Sequence, residues 1–273
     1  MKKRALKIIL WVVSIIILAV LIGVVVKIYG KNKCKDLQVT IHAPADCVFL
    51  TEEDVASYLS ESGDQIIGNE LSRVDIEKLE SLINNKPYVL SSKVYMSLTG
   101  ILKVDVIQRT PIARVQPDVR LQHIRSLDYA PYYISSDGGL IPLTPGKTAR
   151  VIFVNGNIRT LYNNLIKLDV DSSYVAQDTL GCFTTLYNIY DVVTYINKDE
   201  FLKAQIQQIY VDDKGELILI PEVGKHIVIF GDGNNIAKKF RRLEIFYEKA
   251  AFFKGWEKYD TINVKYNNQI ICS

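Results

Sequence analysis

Nineteen consecutive residues, Ile8 to Val26, carry no charge, and only Ser14 and Gly23 interrupt their apolar character. As an α-helix the run would extend about 28 Å, close to the ~30 Å hydrocarbon core of a bilayer. A cleavable signal peptide is the competing reading, but its apolar region is normally about 7 to 15 residues and ends at small residues suited to cleavage. Here the run meets Lys27-Ile28-Tyr29-Gly30-Lys31. The expectation is therefore an uncleaved transmembrane helix over 8–26, contacting the lipid bilayer along its length, with residues 1–7 as a cytoplasmic tail and 27–36 as a linker. Both flanks are basic, so the charge rule alone orients the helix weakly. A short head stays inside easily and a long domain translocates regardless of its charge. The bulk of the chain is expected outside the cytoplasm, in the periplasm.

The formal charge of +3 hides an asymmetry. Eight basic residues precede the first acid, Asp36, and from there onward 25 basic residues face 30 acidic ones. A nucleic-acid binder shows a basic stripe on its folded part. No nucleic-acid partner is expected. Four cysteines, Cys34, Cys47, Cys182 and Cys272, permit three complete pairings. A periplasmic location allows disulfides, but a domain this rich in apolar residues does not require them, and buried or unpaired thiols are expected ahead of two disulfides.

After the linker, Leu37, Val39 and Ile41 alternate as a strand does. Thr51 followed by Glu52-Glu53-Asp54 reads as a capped helix start, with Val55, Tyr58 and Leu59 as its buried stripe. A second start is expected at Ser72, with Asp75 at the capping-box position and Ile76, Leu79 and Ile83 at helical spacing. Val94, Met96 and Leu98, then Thr99-Gly100, then Leu102, Val104 and Val106 describe a hairpin. The order β-α-α-β-β over 37–108 predicts two helices on one face of a three-stranded sheet, whose edges stay open for pairing with another chain. From Arg109 to Ser273 short strands and turns predict a second, β-rich domain. It carries a hairpin over 206–220, a strand from His226 to Phe230, and helices around Glu200 to Gln208 and Ile236 to Phe253. A final strand is expected from Thr261 to Cys272. The fold class is α+β.

The sequence offers little for chemistry. His42, His123 and His226 lack partners at ligand spacing. Asp169-Val170-Asp171 begins like a calcium loop, but Tyr174 stands where that loop needs glycine and Leu180 where it needs glutamate. Gly231-Asp232-Gly233 before a helix lacks the third glycine of a dinucleotide fingerprint, because Ile236 stands there, and reads as a turn. The cluster Lys238-Lys239-Phe240-Arg241-Arg242 reads first as a solvated helix face. No catalytic residue, cofactor or metal site is expected.

Several segments together resemble the bacterial cell-division family FtsQ/DivIB. They are Pro87-Tyr88-Val89, Lys93-Val94, Gln108-Arg109-Thr110-Pro111-Ile112-Ala113-Arg114-Val115, Tyr133-Ile134-Ser135-Ser136-Asp137-Gly138, Val154-Asn155-Gly156 and Ile262-Asn263-Val264-Lys265-Tyr266. The resemblance implies a cytoplasmic tail, one transmembrane helix in the cytoplasmic membrane, a POTRA domain and a β domain. It also implies a non-enzymatic scaffold at the division septum that recruits small bitopic proteins of the FtsB/FtsL kind and meets other divisome and wall-synthesis proteins. Where the family carries Asp-Leu-Arg-Tyr, this chain carries Asn263-Val264-Lys265-Tyr266, so the aromatic is kept and the ionic pattern is not. Two other classes are a POTRA-bearing transport accessory, which would continue into a barrel, and a membrane-anchored envelope enzyme.

The partner surface is expected on the final strand, by strand addition at a sheet edge. Ile262, Val264, Tyr266 and Asn268 would share one face, with Lys265 and Gln269 on the other. Tyr266 is the expected anchor.

Overall fold

A computed structural model describes residues 11–23, 33–45, 47–63, 65–70, 73–97, 99–118, 130–168, 182–251 and 258–273. Residues 11–23 are helical with exposed side chains. The remainder of the 8–26 run lies outside the described residues, as does the calcium-like stretch from Asp169. Among the described residues no helix is long and apolar enough to cross a membrane. The rest of the chain divides into two compact units, one containing Asp36–His42 and 50–108, the other containing 43–49 and 109–273.

In the first unit, β1 (Asp36–His42), β2 (Val89–Met96) and β3 (Ile101–Gln108) form a sheet of order β1-β3-β2. β1 runs parallel to β3 and β2 antiparallel. The parallel pairing needs a long crossover, which α1 (Glu52–Ser60) and α2 (Ile76–Asn84) provide. Thr51 starts α1 with a full capping box: its hydroxyl accepts from the Asp54 N–H at 3.2 Å, and the Asp54 carboxylate accepts from the Thr51 N–H at 2.9 Å. Val55, Leu59, Leu79 and Ile83 turn inward onto Val94, Leu102, Val104 and Val106, and Leu37, Val39 and Ile41 pack at the margin. Gly100 makes the β2–β3 turn at φ 83°.

Two expectations for this unit are corrected. Asp75 is itself the N-cap of α2, its carboxylate accepting from the Lys78 N–H at 3.0 Å, so the helix begins at Ile76. Asp and Ser cap comparably well, and Ser72 lies outside the described residues. The β2 edge is also not open. Its outward N–H groups at Ser92 and Val94 donate to Asn84 Oδ1 at 2.7 Å and Glu80 Oε2 at 3.0 Å, both on α2.

In the second unit a nine-stranded sheet has the order β12-β11-β10-β9-β8-β7-β4-β5-β6. The strands are β4 (Pro111–Val115), β5 (Tyr132–Ser135), β6 (Leu140–Pro142), β7 (Ile152–Gly156), β8 (Ile206–Val211), β9 (Leu217–Pro221), β10 (Ile227–Gly231), β11 (Thr261–Asn263) and β12 (Ile271–Cys272). The helices are α3 (Cys182–Ile196), α4 (Glu200–Gln205) and α5 (Ile236–Phe246), the last continued by a π-helical turn over Tyr247–Ala251. Sequence reading missed α3. Its Leu186, Ile189, Tyr190, Val193 and Ile196 are buried at helical spacing. The helix expected through Gln208 stops at Gln205, because Ile206 and Ile209 already belong to β8 and its buried face.

The motif around Arg109 has a structural purpose. Its guanidinium pairs with Asp137 at 2.5 Å, with side chains only 13% and 23% exposed. A Cβ at Gly139 would meet the guanidinium, so a side chain there would push Arg109 off its present position. The Ser136 N–H donates to the Thr110 carbonyl at 2.8 Å, so this segment fastens β4 to the β5–β6 turn. Cys34 and Cys47 are buried thiols and Cys272 is half-buried.

Candidate functional site: the end of the large sheet

The surface expected to meet a partner lies where the large sheet ends in β10, β11 and β12. The single strand expected over 261–272 is a hairpin instead. β11 pairs parallel with β10 in the register Ile227↔Thr261, Val228↔Ile262 and Ile229↔Asn263. The chain then turns through residues 264–270 and returns as β12, antiparallel to β11, with Ile262 opposite Cys272 and Asn263 opposite Ile271. Asn267-Asn268 supplies the turn chemistry, and Asn268 sits at φ 60°, a left-handed conformation that Asn tolerates better than most residues.

This geometry divides the six residues expected to bind. Ile262 and Val264 are 1% and 0% exposed and belong to the core, so they carry the strand and are inaccessible to a partner. Alternation does not run on to Tyr266 and Asn268. Tyr266 is 48% exposed, and Asn268 and Gln269 are exposed with it on the turn. Lys265 is half-buried, its ammonium donating to the Glu216 carboxylate. That hydrogen bond is the chief reason its pKa is raised; partial burial opposes the shift, and the negative potential of Glu216, Tyr266 and Asp212 adds to it. The Lys265 side chain lies over Gly231, which ends β10 at φ 79° and has no Cβ to obstruct it.

Sequence reading places Arg242 in the basic cluster on its helix and does not assign it to this turn. Arg242 of α5 donates from Nη2 to the Val264 carbonyl at 2.7 Å. The Val264 N–H donates to the Ile229 carbonyl at 3.0 Å, and the Asn263 side chain accepts from the Lys265 N–H at 3.0 Å. The basic cluster on α5 is accordingly split. Lys239 is 2% exposed, donates to the Asp232 carboxylate at 2.7 Å and backbone carbonyl at 2.8 Å, and lies 4.9 Å from the Phe230 ring centre. Only Lys238 and Arg241 are exposed from that cluster, so it offers little to a polyanion. Gly231-Asp232-Gly233 is the turn between β10 and α5. Among the described residues no group of three His, Cys, Asp or Glu side chains is placed to hold a metal ion.

What this arrangement offers is a sheet end with an exposed aromatic and a shell of amides, the equipment of a protein–protein contact. A POTRA-like domain model matches residues 32–107, and a model described as FtsQ/DivIB, C-terminal related, matches residues 110–273. A POTRA-like module followed by a division-protein β domain defines the class. The second match covers more than half of the chain, which belongs to the FtsQ/DivIB family. No curated protein matches it. The family places the chain among cell-division proteins and is not a known enzyme family.

Proposed function

We propose that this protein is a non-enzymatic, membrane-anchored division scaffold that recruits small bitopic partners of the FtsB/FtsL kind at the end of its large sheet. The single observation that carries the reading is the β11–β12 end itself. Strand backbone, the exposed Tyr266 and the amides of Asn268 and Gln269 lie together there on a chain of this family. The run Ile8 to Val26 serves as the anchor in the cytoplasmic membrane, with residues 1–7 inside the cell and the bulk in the periplasm at the septum. Residues 37–108 act as the POTRA domain and 109–273 as the β domain. Tyr266 is the aromatic anchor of the contact, Lys265 gives it polarity, and Ile262 and Val264 act indirectly by fixing the strand from within the core.

The test is co-purification of the detergent-solubilised full chain from its own membranes. Small coiled-coil division proteins should come with it and be lost on Tyr266→Ala. Turnover on peptidoglycan or peptides, abolished by one substitution, would replace the scaffold reading with an enzyme. A reporter fused after Ser273 and active only outside the cytoplasm should be active.

A further inference from the structure

The two outermost strands of the large sheet limit how a partner strand can join it. Thr261 and Ser273 exchange two backbone hydrogen bonds, each 3.1 Å, and the Ser273 carbonyl also accepts from the Asp260 N–H at 2.8 Å. In an antiparallel ladder hydrogen-bonded and non-hydrogen-bonded pairs alternate. Ile262↔Cys272 is therefore a non-bonded pair, and Asn263↔Ile271 is the next bonded one. It follows that the outward groups of β11, at Thr261 and Asn263, are already taken by β12. Beyond them the Lys265 N–H is taken by the Asn263 side chain. The outer side of β12, within its two residues, presents the backbone of Cys272 alone. An incoming strand finds almost nothing to pair with on β12 and a complete edge beneath it.

We infer that residues 268–273 are a displaceable strap that occupies the acceptor edge of β11, and that the partner is an extended peptide segment that takes the strap's place. The strap shows what such a segment must look like. Ile270 and Cys272, two residues apart, pack on the core of the large unit, while Ile271 between them is 47% exposed. The replacing strand carries apolar side chains at alternate positions, runs antiparallel to β11, and bonds the Thr261 and Asn263 backbone. The strap is built to leave: its paired region is three residues long, Ile271 to Ser273, its turn is exposed throughout 266–269, and local opening begins where few apolar contacts are buried. β11 remains, because Ile262 and Val264 are locked in the core and the Val264 amide is bonded to β10.

The identity of the partner segment rests on the function proposed above; the displaceability of the strap does not. Amide exchange on the full chain in detergent micelles separates the two. The Thr261 and Ser273 amides, bonded across β11–β12, should exchange at least tenfold faster than the Ile227 and Val264 amides, bonded across β10–β11. Equal protection overturns the strap. Ile262→Cys, placed opposite the native Cys272 at a non-bonded pair whose Cα separation of ~4.5 Å suits a disulfide, should abolish that contrast when oxidised and restore it on reduction. A chain ending at Asn267 should bind a fluorescent synthetic peptide of residues 268–273, and the same peptide with Ile270→Asp should bind at least tenfold more weakly. No binding by the parent peptide, or equal binding by both, also overturns the inference. If the exchange contrast holds while co-purifying division proteins bind the oxidised, locked chain as well as the reduced one, the strap stands and the partner site proposed above is wrong.

Discussion

The molecule closes two sheet edges in two different ways. In the small unit, Asn84 and Glu80 on α2 reach over β2 and accept from the Ser92 and Val94 amides. The covering groups are side chains on a helix whose Leu79 and Ile83 are buried, so they project from an element anchored in the core. In the large unit, β11 is covered by the backbone of β12, which contributes only Cys272 and the neighbouring Ile270 to the core. The first closure blunts the edge with side chains and adds no strand to it. The second is a copy of strand addition made by the chain itself, and an intermolecular strand competes with it on equal chemical terms.

The largest effect should come from breaking the foundation on which the second closure stands. Ile262 is 1% exposed in the middle of β11. Ile262→Ala should destabilise the large unit by about 2–5 kcal/mol, the usual range for such truncations in a core, and lower its melting temperature by several degrees. A shift no larger than that of a surface substitution would mean that β11 is peripheral and that the edge has no fixed frame.

Next in size is Tyr266→Ala. The side chain is 48% exposed on the turn, so the melting temperature should stay within the small range of surface changes. Affinity for the co-purified division partner should fall by about 2 kcal/mol, as expected of an aromatic interface anchor. An unchanged affinity on folded protein would move the contact off this turn, and Lys238 and Arg241 would be the next positions to substitute.

These two substitutions also mark where sequence reading succeeded and where it failed. The small unit is legible almost element by element, because its signals are local: the hydroxyl cap at Thr51 with acids in the first turn, period-two alternation from Leu37, and the glycine turn at Gly100. The large unit was less so. α3 is written Cys-Phe-Thr-Thr-Leu-Tyr-Asn-Ile-Tyr-Asp-Val-Val-Thr-Tyr-Ile, rich in β-branched and aromatic residues that favour strands. Burial at helical spacing overrides that preference, and spacing was the signal to follow. At the candidate site, Tyr266 was legible as an aromatic near a sheet edge. Arg242 and Glu216 were not, since their roles arise from contacts 22 and 49 residues away in sequence. The Asn267-Asn268 turn was visible, yet alternation was carried through it.

A smaller effect tests the first closure. Glu80→Ala combined with Asn84→Ala removes both acceptors from the β2 edge while leaving the buried face of α2 intact. Stability should fall by about 1 kcal/mol per lost hydrogen bond. The Ser92 and Val94 amides should exchange faster, and the chain should begin to self-associate through β2, as read by light scattering. Unchanged exchange would show that another group covers those amides.

The smallest expected effect concerns pH. Asp232 follows β10 in the turn to α5 and receives the Lys239 ammonium. Burial alone would raise its pKa, but the hydrogen bonds from Lys239 and Asn234 outweigh that and hold it below the ordinary carboxylate value. A depressed carboxylate contributes stability that is fully present above its unfolded pKa of roughly 3.9 and is lost as pH falls through the folded value. The β10–α5 turn should therefore loosen only in acid, below about pH 4, and not near neutrality. Because the Asp232 side chain is 56% exposed, the effect is modest. Asp232→Asn should flatten the acid limb of the melting profile and lower stability slightly at pH 7, because the buried Lys239 side chain loses its carboxylate partner. The β2 edge supplies the control. In the wild-type chain, loss of the Asp232–Lys239 pair should speed exchange at the Ile227 and Val264 amides as pH falls, once intrinsic exchange rates are corrected for. In Asp232→Asn that added acid dependence should be absent, while the Ser92 and Val94 amides behave alike in both proteins. If the substitution instead changed the acid response of both edges equally, the ion pair would be acting on the whole chain, and the large sheet's end would have lost its claim to be the separately adjustable one.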